Sequence, residues 1–359
     1  MSVYEIIITI MAGFAILGGL DRILGNRLGL GTGFAEGIEA MGALALAMIG
    51  ILCLAPVLSD LLRPLIVPAF TFLGADPAMF AGTILACDMG GGALAAQLTG
   101  DPQAALLGGV ITGSMMGATL VFTIPVALGI LQPEDRPFFA KGSLCGIVTI
   151  PVGILTGGLV AGFPAGMVLR NLIPIVLIAA LIALGLWKAE TWLIRGFTVF
   201  GKGITALITL GLALAIWQEL TGLVLVKDLA PLSQGFEVVG EIAIILAGAF
   251  PLVFLITKLL QKPLQKAGKL LGINDTAAAG LVASLANSIA TFGMLKDMDR
   301  RGKVINVAFA ASAAFVFGDH LGFTAGFAPE MLPAMIAGKL AGGISAVAVA
   351  WLLTRKNNS

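Results

Sequence analysis

Long apolar runs dominate this chain. A helix needs about 20 mostly apolar residues to cross the hydrocarbon core of a bilayer. Runs of that kind recur near 3–20, 38–58, 104–131, 138–161, 168–187, 196–217, 238–260, 303–327 and 331–354. Charged residues make up 11% of the chain, against about 25% in a soluble domain. The fold class this predicts is an all-α polytopic integral membrane protein with about nine full spans. The 48 glycines suit helices that pack backbone to backbone in lipid. The run at 3–20 has Glu5 and no basic residue before it, so it reads as a retained span and not a signal peptide.

Two further apolar stretches are interrupted. The stretch 78–98 contains Asp88-Met89-Gly90-Gly91-Gly92, and 276–294 contains Asn287-Ser288. Polar or glycine breaks at membrane depth are tolerated only where backbone lines a cavity or is buried in protein. Both read as re-entrant helical hairpins. Before each comes a stretch expected to lie at the interface, around 61–74 and 259–272, the second with lysines at 262, 266 and 269 on one face.

The pairing extends further. The offset that lays Leu73-Gly74 on Leu271-Gly272 also lays Ala81-Gly82 on Ala279-Gly280, Ser114 on Ser312 and Lys141 on Lys339. The expected organisation is a membrane repeat at 1–161, a linking span at 162–195, a second repeat at 196–354 and a cytoplasmic tail at 355–359. With the N-terminus outside, only Arg63, Arg170 and Lys227 of the 21 basic residues fall outside, and Lys339 stays within a span. The remainder fall inside, as the positive-inside rule asks. The single linking span then inverts the second repeat, so the hairpins enter from opposite sides. That is a transporter architecture, and it points to carriage of a small polar solute.

An ionisable residue at membrane depth is a functional candidate by default. Asp88, at the first break, is placed either to pair with a cationic substrate or to cap the next half-helix. Asp319 and His320 offer a substrate contact or proton relay, or else a local ion pair. Asn287, with Ser284 one turn earlier, offers neutral hydrogen bonds or polar glue between helices. Ser114 and Ser312 read as small interface residues, and Lys339 as a side chain that snorkels to the interface. Cys53, Cys87 and Cys145 lie in apolar runs and read as unpaired fillers. No P-loop, metal-ligand spacing or nucleophile elbow occurs, so neither an enzyme nor a cofactor is expected. The net charge of +1 gives no reason to expect nucleic acid binding.

Several segments together resemble one family. They include Met41-Gly42-Ala43-Leu44-Ala45-Leu46-Ala47-Met48, Cys87-Asp88-Met89-Gly90-Gly91, Gly113-Ser114-Met115-Met116-Gly117, Arg301-Gly302-Lys303-Val304-Ile305-Asn306 and Gly318-Asp319-His320-Leu321-Gly322. The chain resembles, over nearly its whole length, the ethanolamine utilisation permease family (EutH). The resemblance implies import of ethanolamine across the bacterial cytoplasmic (inner) membrane. Substrate contacts are then expected at Asp88, Asn287, Ser284, Asp319 and His320, with Phe80, Phe292 or Phe317 adding cation–π contacts. Facilitated diffusion by alternating access is the leading mechanism. A proton- or ion-coupled symporter, a channel and a membrane anchor for ethanolamine-utilisation enzymes are the alternatives. Carriers with paired hairpins suggest, by analogy alone, a homo-oligomer.

Overall fold

A computed structural model describes residues 2–355, leaving aside the side chains at 190, 194, 260–262, 264, 265 and 267. The expected tail beyond Arg355, with Lys356, and the side chain of Lys262 lie outside the described residues. The chain is built of helices, with no strand among the described residues. The first half comprises α1 (Val3–Ile23), α2 (Leu30–Leu44), α3 (Gly50–Phe72), α4 (Ala78–Ile84), α5 (Gly91–Leu98), α6 (Pro102–Leu106), α7 (Ile124–Ile130), α8 (Arg136–Ile147) and α9 (Ile150–Val160). The π-helical segments Ala45–Ile49 and Leu107–Thr123 join α2 to α3 and α6 to α7. Then come α10 (Ala165–Lys188), α11 (Glu190–Thr221), α12 (Leu232–Leu271), α13 (Asp275–Ala286), α14 (Ser288–Met294), α15 (Arg300–Ala313), α16 (Asp319–Phe327) and α17 (Leu332–Arg355).

Among the described residues, 8 helical stretches are long and apolar enough to cross a membrane. Two expectations need correcting. The stretch 61–74 is not a separate interfacial helix. It continues α3, and helical structure runs unbroken from Leu30 to Phe72 through Pro56, Pro64 and Pro68. Ser59 Oγ and Arg63 Nη2 both donate to the Gln97 carbonyl, at 3.0 and 2.7 Å, so this part of α3 caps the end of α5. Likewise 259–272 continues α12. The expected span 303–327 is not one helix either. It breaks at Ala314–Gly318, between α15 and α16.

The two expected hairpins are present as interrupted helix pairs, α4/α5 and α13/α14. Helical elements begin at Pro102 and at Arg300 after them, at the same spacing as the matched sequence pairs. α4 and α5 pack on the π-helical segment Leu107–Thr123, while α15 lies between α8 and α17, and α17 also packs on α9. α2 and α12 pair along their lengths, with α1 beside both. Glycine permits the closest of these approaches. A Cβ on Gly109 would sit 2.7 Å from Cα of Gly92, so hairpin and π-helical segment meet backbone to backbone. Cys53, Cys87 and Cys145 are buried and unpaired, as their apolar settings predict.

Candidate functional site

Three helix interruptions converge near the centre of the bundle. In the first, Leu85 is extended (φ −125°, ψ 141°), a single 3-10 turn covers Cys87–Met89, and Gly90 takes φ 87°. That left-handed conformation favours glycine, and a Cβ there would also run into Ile51. α5 starts from Gly90 with no side-chain cap. Asp88 therefore does not cap the next half-helix, and its carboxylate remains available.

In the second interruption, Asn287 is extended (φ −156°, ψ 124°), and its Oδ1 accepts from Ile289 N at 2.8 Å. The asparagine is thus the cap of α14. Its amide nitrogen makes no hydrogen bond among the described residues. Ser284 Oγ pairs with Thr291 Oγ1 at 2.8 Å, and Thr291 Oγ1 donates to the Gly280 carbonyl at 2.9 Å. Ser284 is buried and joins the two arms of the hairpin, away from the cavity described below.

The third interruption was not legible in the sequence. Phe315 N donates to the Ser284 carbonyl at 3.1 Å, and Phe317 N to the Leu285 carbonyl at 2.9 Å. The break in α13/α14 frees these carbonyls and the break in α15/α16 frees the amides, so each supplies what the other lacks. Phe315 takes φ 63°, a conformation that bulky residues rarely adopt. α16 then opens with Asp319 and His320.

The three interruptions and the face of α2 enclose a cavity of about 240 Å³. Asp88, Asn287, Asp319 and His320 line it, which brings together four of the five expected site residues. His320 Nε2 lies 3.7 Å from Asp88 Oδ1. The acidic neighbour of His320 is thus Asp88 from the other half of the chain, and no local ion pair with Asp319 forms among the described residues. His320 Nδ1 is buried and has no hydrogen-bond partner among the described residues.

The aromatic wall differs from expectation. Phe80 packs edge-on against Phe70 at 6.2 Å and Phe292 against Phe139 at 6.0 Å, both away from the cavity. Phe317 belongs to the core packing. Phe122 and Phe315 supply the rings instead, set edge to face at 5.6 Å, with Phe315 also 5.3 Å from the His320 ring. Ala40, Ala43 and Ala47 keep the α2 side open.

Lys339 does not snorkel. It is 1% exposed, and its Nζ donates to the Ser114 carbonyl. It starts two turns inside α17, in the tightly packed face against α9 and α15, so the stem has no path to an interface. A charge within an apolar run was the available signal. Cys87, Asp88 and His320 also bring a thiol, a carboxylate and an imidazole within 4.8 Å of one another.

Comparison with known proteins shows the family of the chain. The family model described as "Ethanolamine utilisation protein, EutH" matches residues 3–353. The chain is 61% identical to "Probable ethanolamine permease EutH" of Listeria monocytogenes, over 97% of this chain and 94% of that one. It is 52% identical to "Uncharacterized protein YxeR" of Bacillus subtilis, over 99% and 96%. It is 48% identical to "Probable ethanolamine permease EutH" of Salmonella typhimurium, over 100% and 97%. No solved structure matches. The chain belongs to the EutH family.

Proposed function

We propose that this protein is a carrier, not an enzyme, and that it imports ethanolamine across the bacterial cytoplasmic membrane through the cavity between the helix breaks. The observation that carries the reading is the content of that cavity. Asp88 and Asp319 face a space of about 240 Å³ that also presents an amide, an imidazole and two phenyl rings. Ethanolamine is a small amino alcohol, mostly an ammonium ion at neutral pH. A carboxylate suits its charge, ring faces add cation–π attraction, and the free amide of Asn287 can donate to its hydroxyl. The space exceeds the roughly 10–15 Å³ that one water needs on the same measure. The permease names of the relatives agree with this substrate.

The proposed mechanism is alternating access with facilitated diffusion. Helix breaks from both halves meet at the cavity, and matching elements recur in the order that two repeats, 1–161 and 196–354, would give. The proposed topology is inverted, with the N-terminus outside and the C-terminus cytoplasmic, as the distribution of basic residues favours.

The test is uptake of labelled ethanolamine by purified protein in sealed liposomes at acidic external pH, with Asp88→Asn alongside. Saturable uptake that the folded variant loses is the expected result. Saturable uptake that survives in Asp88→Asn would move the counter-charge elsewhere. No uptake above protein-free liposomes would sink the reading.

A further inference from the structure

The binding scheme above uses Asp88 and His320 and leaves their neighbour Cys87 without a role. Cys87 and Asp88 are consecutive on the 3-10 turn of the first break, and His320 is the second residue of α16. Folding alone brings the three together, so no spacing in the sequence shows the set. One ligand atom from each lies within 4.8 Å of the other two. His320 is 3% exposed. Its Nε2 stands 3.7 Å from Asp88 Oδ1, too far for a hydrogen bond, and its Nδ1 has no hydrogen-bond partner among the described residues. A buried imidazole with neither nitrogen engaged calls for a partner.

A zinc ion fits the set. Zinc bonds of about 2.0–2.3 Å in a tetrahedron place ligand atoms about 3.4–3.6 Å apart. No pair in the set must then close by more than about 1.4 Å. Magnesium and calcium prefer all-oxygen shells, whereas a thiolate with an imidazole selects a softer ion. Asp88 and His320 line the cavity, so the fourth position of the tetrahedron faces open space, and the ion enters by the route of the substrate. To ligate, Cys87 Sγ loses its proton to water and bonds the ion, with no change of oxidation state. Asp319 adds a second carboxylate to the cavity wall. The buried Lys339 turns its Nζ to the Ser114 carbonyl.

We propose that Cys87, Asp88 and His320 form an inhibitory Zn²⁺ site built into the substrate cavity. The ion takes the carboxylate that a substrate ammonium needs, so zinc and ethanolamine exclude each other. It also ties the first hairpin to α16, and a loaded carrier cannot part the two halves at this point. The inhibition rests on the ethanolamine reading above, while ion binding stands without it.

The experiment uses the full chain, purified and free of any affinity tag, with Co²⁺ as the first probe. Tetrahedral Co²⁺ bound through sulfur absorbs visible light strongly and adds a near-ultraviolet thiolate band, whereas hydrated Co²⁺ absorbs weakly. The expected result is the strong spectrum, abolished by Zn²⁺ and unmoved by Mg²⁺. Cys87→Ser is expected to lose the thiolate band and to bind Co²⁺ about tenfold or more weakly, while Cys53→Ser keeps both. In sealed liposomes at neutral pH, Zn²⁺ is expected to raise the KM for ethanolamine. Cys87→Ser should take up ethanolamine as the wild type does and need about tenfold or more Zn²⁺ for the same inhibition. A wild-type spectrum of hydrated Co²⁺ overturns the inference, as does a thiolate band that survives in Cys87→Ser. Should that variant not fold, His320→Gln takes its place, and unchanged Co²⁺ affinity there overturns the site. Zinc binding that leaves wild-type uptake unchanged overturns the inhibitory role. Absence of any protein-dependent uptake overturns the ethanolamine reading, while the Co²⁺ spectrum still decides the metal site.

Discussion

His320 Nε2 stands 3.7 Å from the carboxylate of Asp88, and the two residues come from opposite halves of the chain. Residues that share one function lose it non-additively when both are changed. His320→Gln is therefore expected to weaken ethanolamine binding less than Asp88→Asn does. The double variant should differ from the summed single effects by more than about 0.5 kcal/mol. Binding calorimetry on the four proteins gives the cycle, and strict additivity would show that the contact carries nothing.

Phe315 combines a ring in the cavity wall with a backbone φ of 63°. Such a conformation stores about 1–3 kcal/mol in a residue other than glycine. Phe315→Gly should accordingly be more stable than Phe315→Ala, by about 1 kcal/mol, the reverse of the order in a helix. Both should weaken ethanolamine binding by about 0.5–2 kcal/mol through loss of the ring. Thermal unfolding in detergent reads the first effect, and binding reads the second.

Ala47 lines the cavity from the α2 side and is half-buried. Ala47→Phe puts a ring into the open space. Uptake is expected to drop by about tenfold or more, while the unfolding temperature stays within a few degrees of wild type. Unimpaired uptake would mean that the substrate travels elsewhere.

Gly109 has no room for a side chain, because its Cβ would approach Cα of Gly92 to 2.7 Å. Gly109→Ala must push the first hairpin off the π-helical segment. A destabilisation of about 1–3 kcal/mol is expected, read as a lowered unfolding temperature that substrate only partly restores.

The native cysteines are buried, which leaves the surface free for a topology test. A membrane-impermeant maleimide should label Gln103→Cys only from outside intact cells. Lys296→Cys should react only after the membrane is opened. The opposite pattern would invert the proposed orientation.

What the sequence revealed depended on the kind of signal. The breaks at Asp88 and Asn287 were legible because hydrocarbon excludes polar and glycine-rich backbone unless protein or a cavity shelters it. The break at Ala314–Gly318 was not, because Ser312-Ala313-Ala314-Phe315-Val316-Phe317 is apolar enough to continue a helix. What interrupts it is tertiary, namely the carbonyls of Ser284 and Leu285. Phe122 and Phe315 could not be told apart from the other phenylalanines, since ring placement depends on which helix faces which. Lys339 was conspicuous as a charge, but its direction depended on packing against α9 and α15. Ser284 carried the right chemistry, and its proximity to Thr291 turned that chemistry inward.

The paired bonds from Phe315 to Ser284 and from Phe317 to Leu285 act as a weld. Swinging the second hairpin away from α15 and α16 would strip two amides inside hydrocarbon, at several kcal/mol each. Those elements must travel as one piece. A movement that opened the cavity would then find its freedom at the opposite wall, where Ala40 and Ala43 of α2, and Ala47 just beyond it, set small side chains on either side of Leu44.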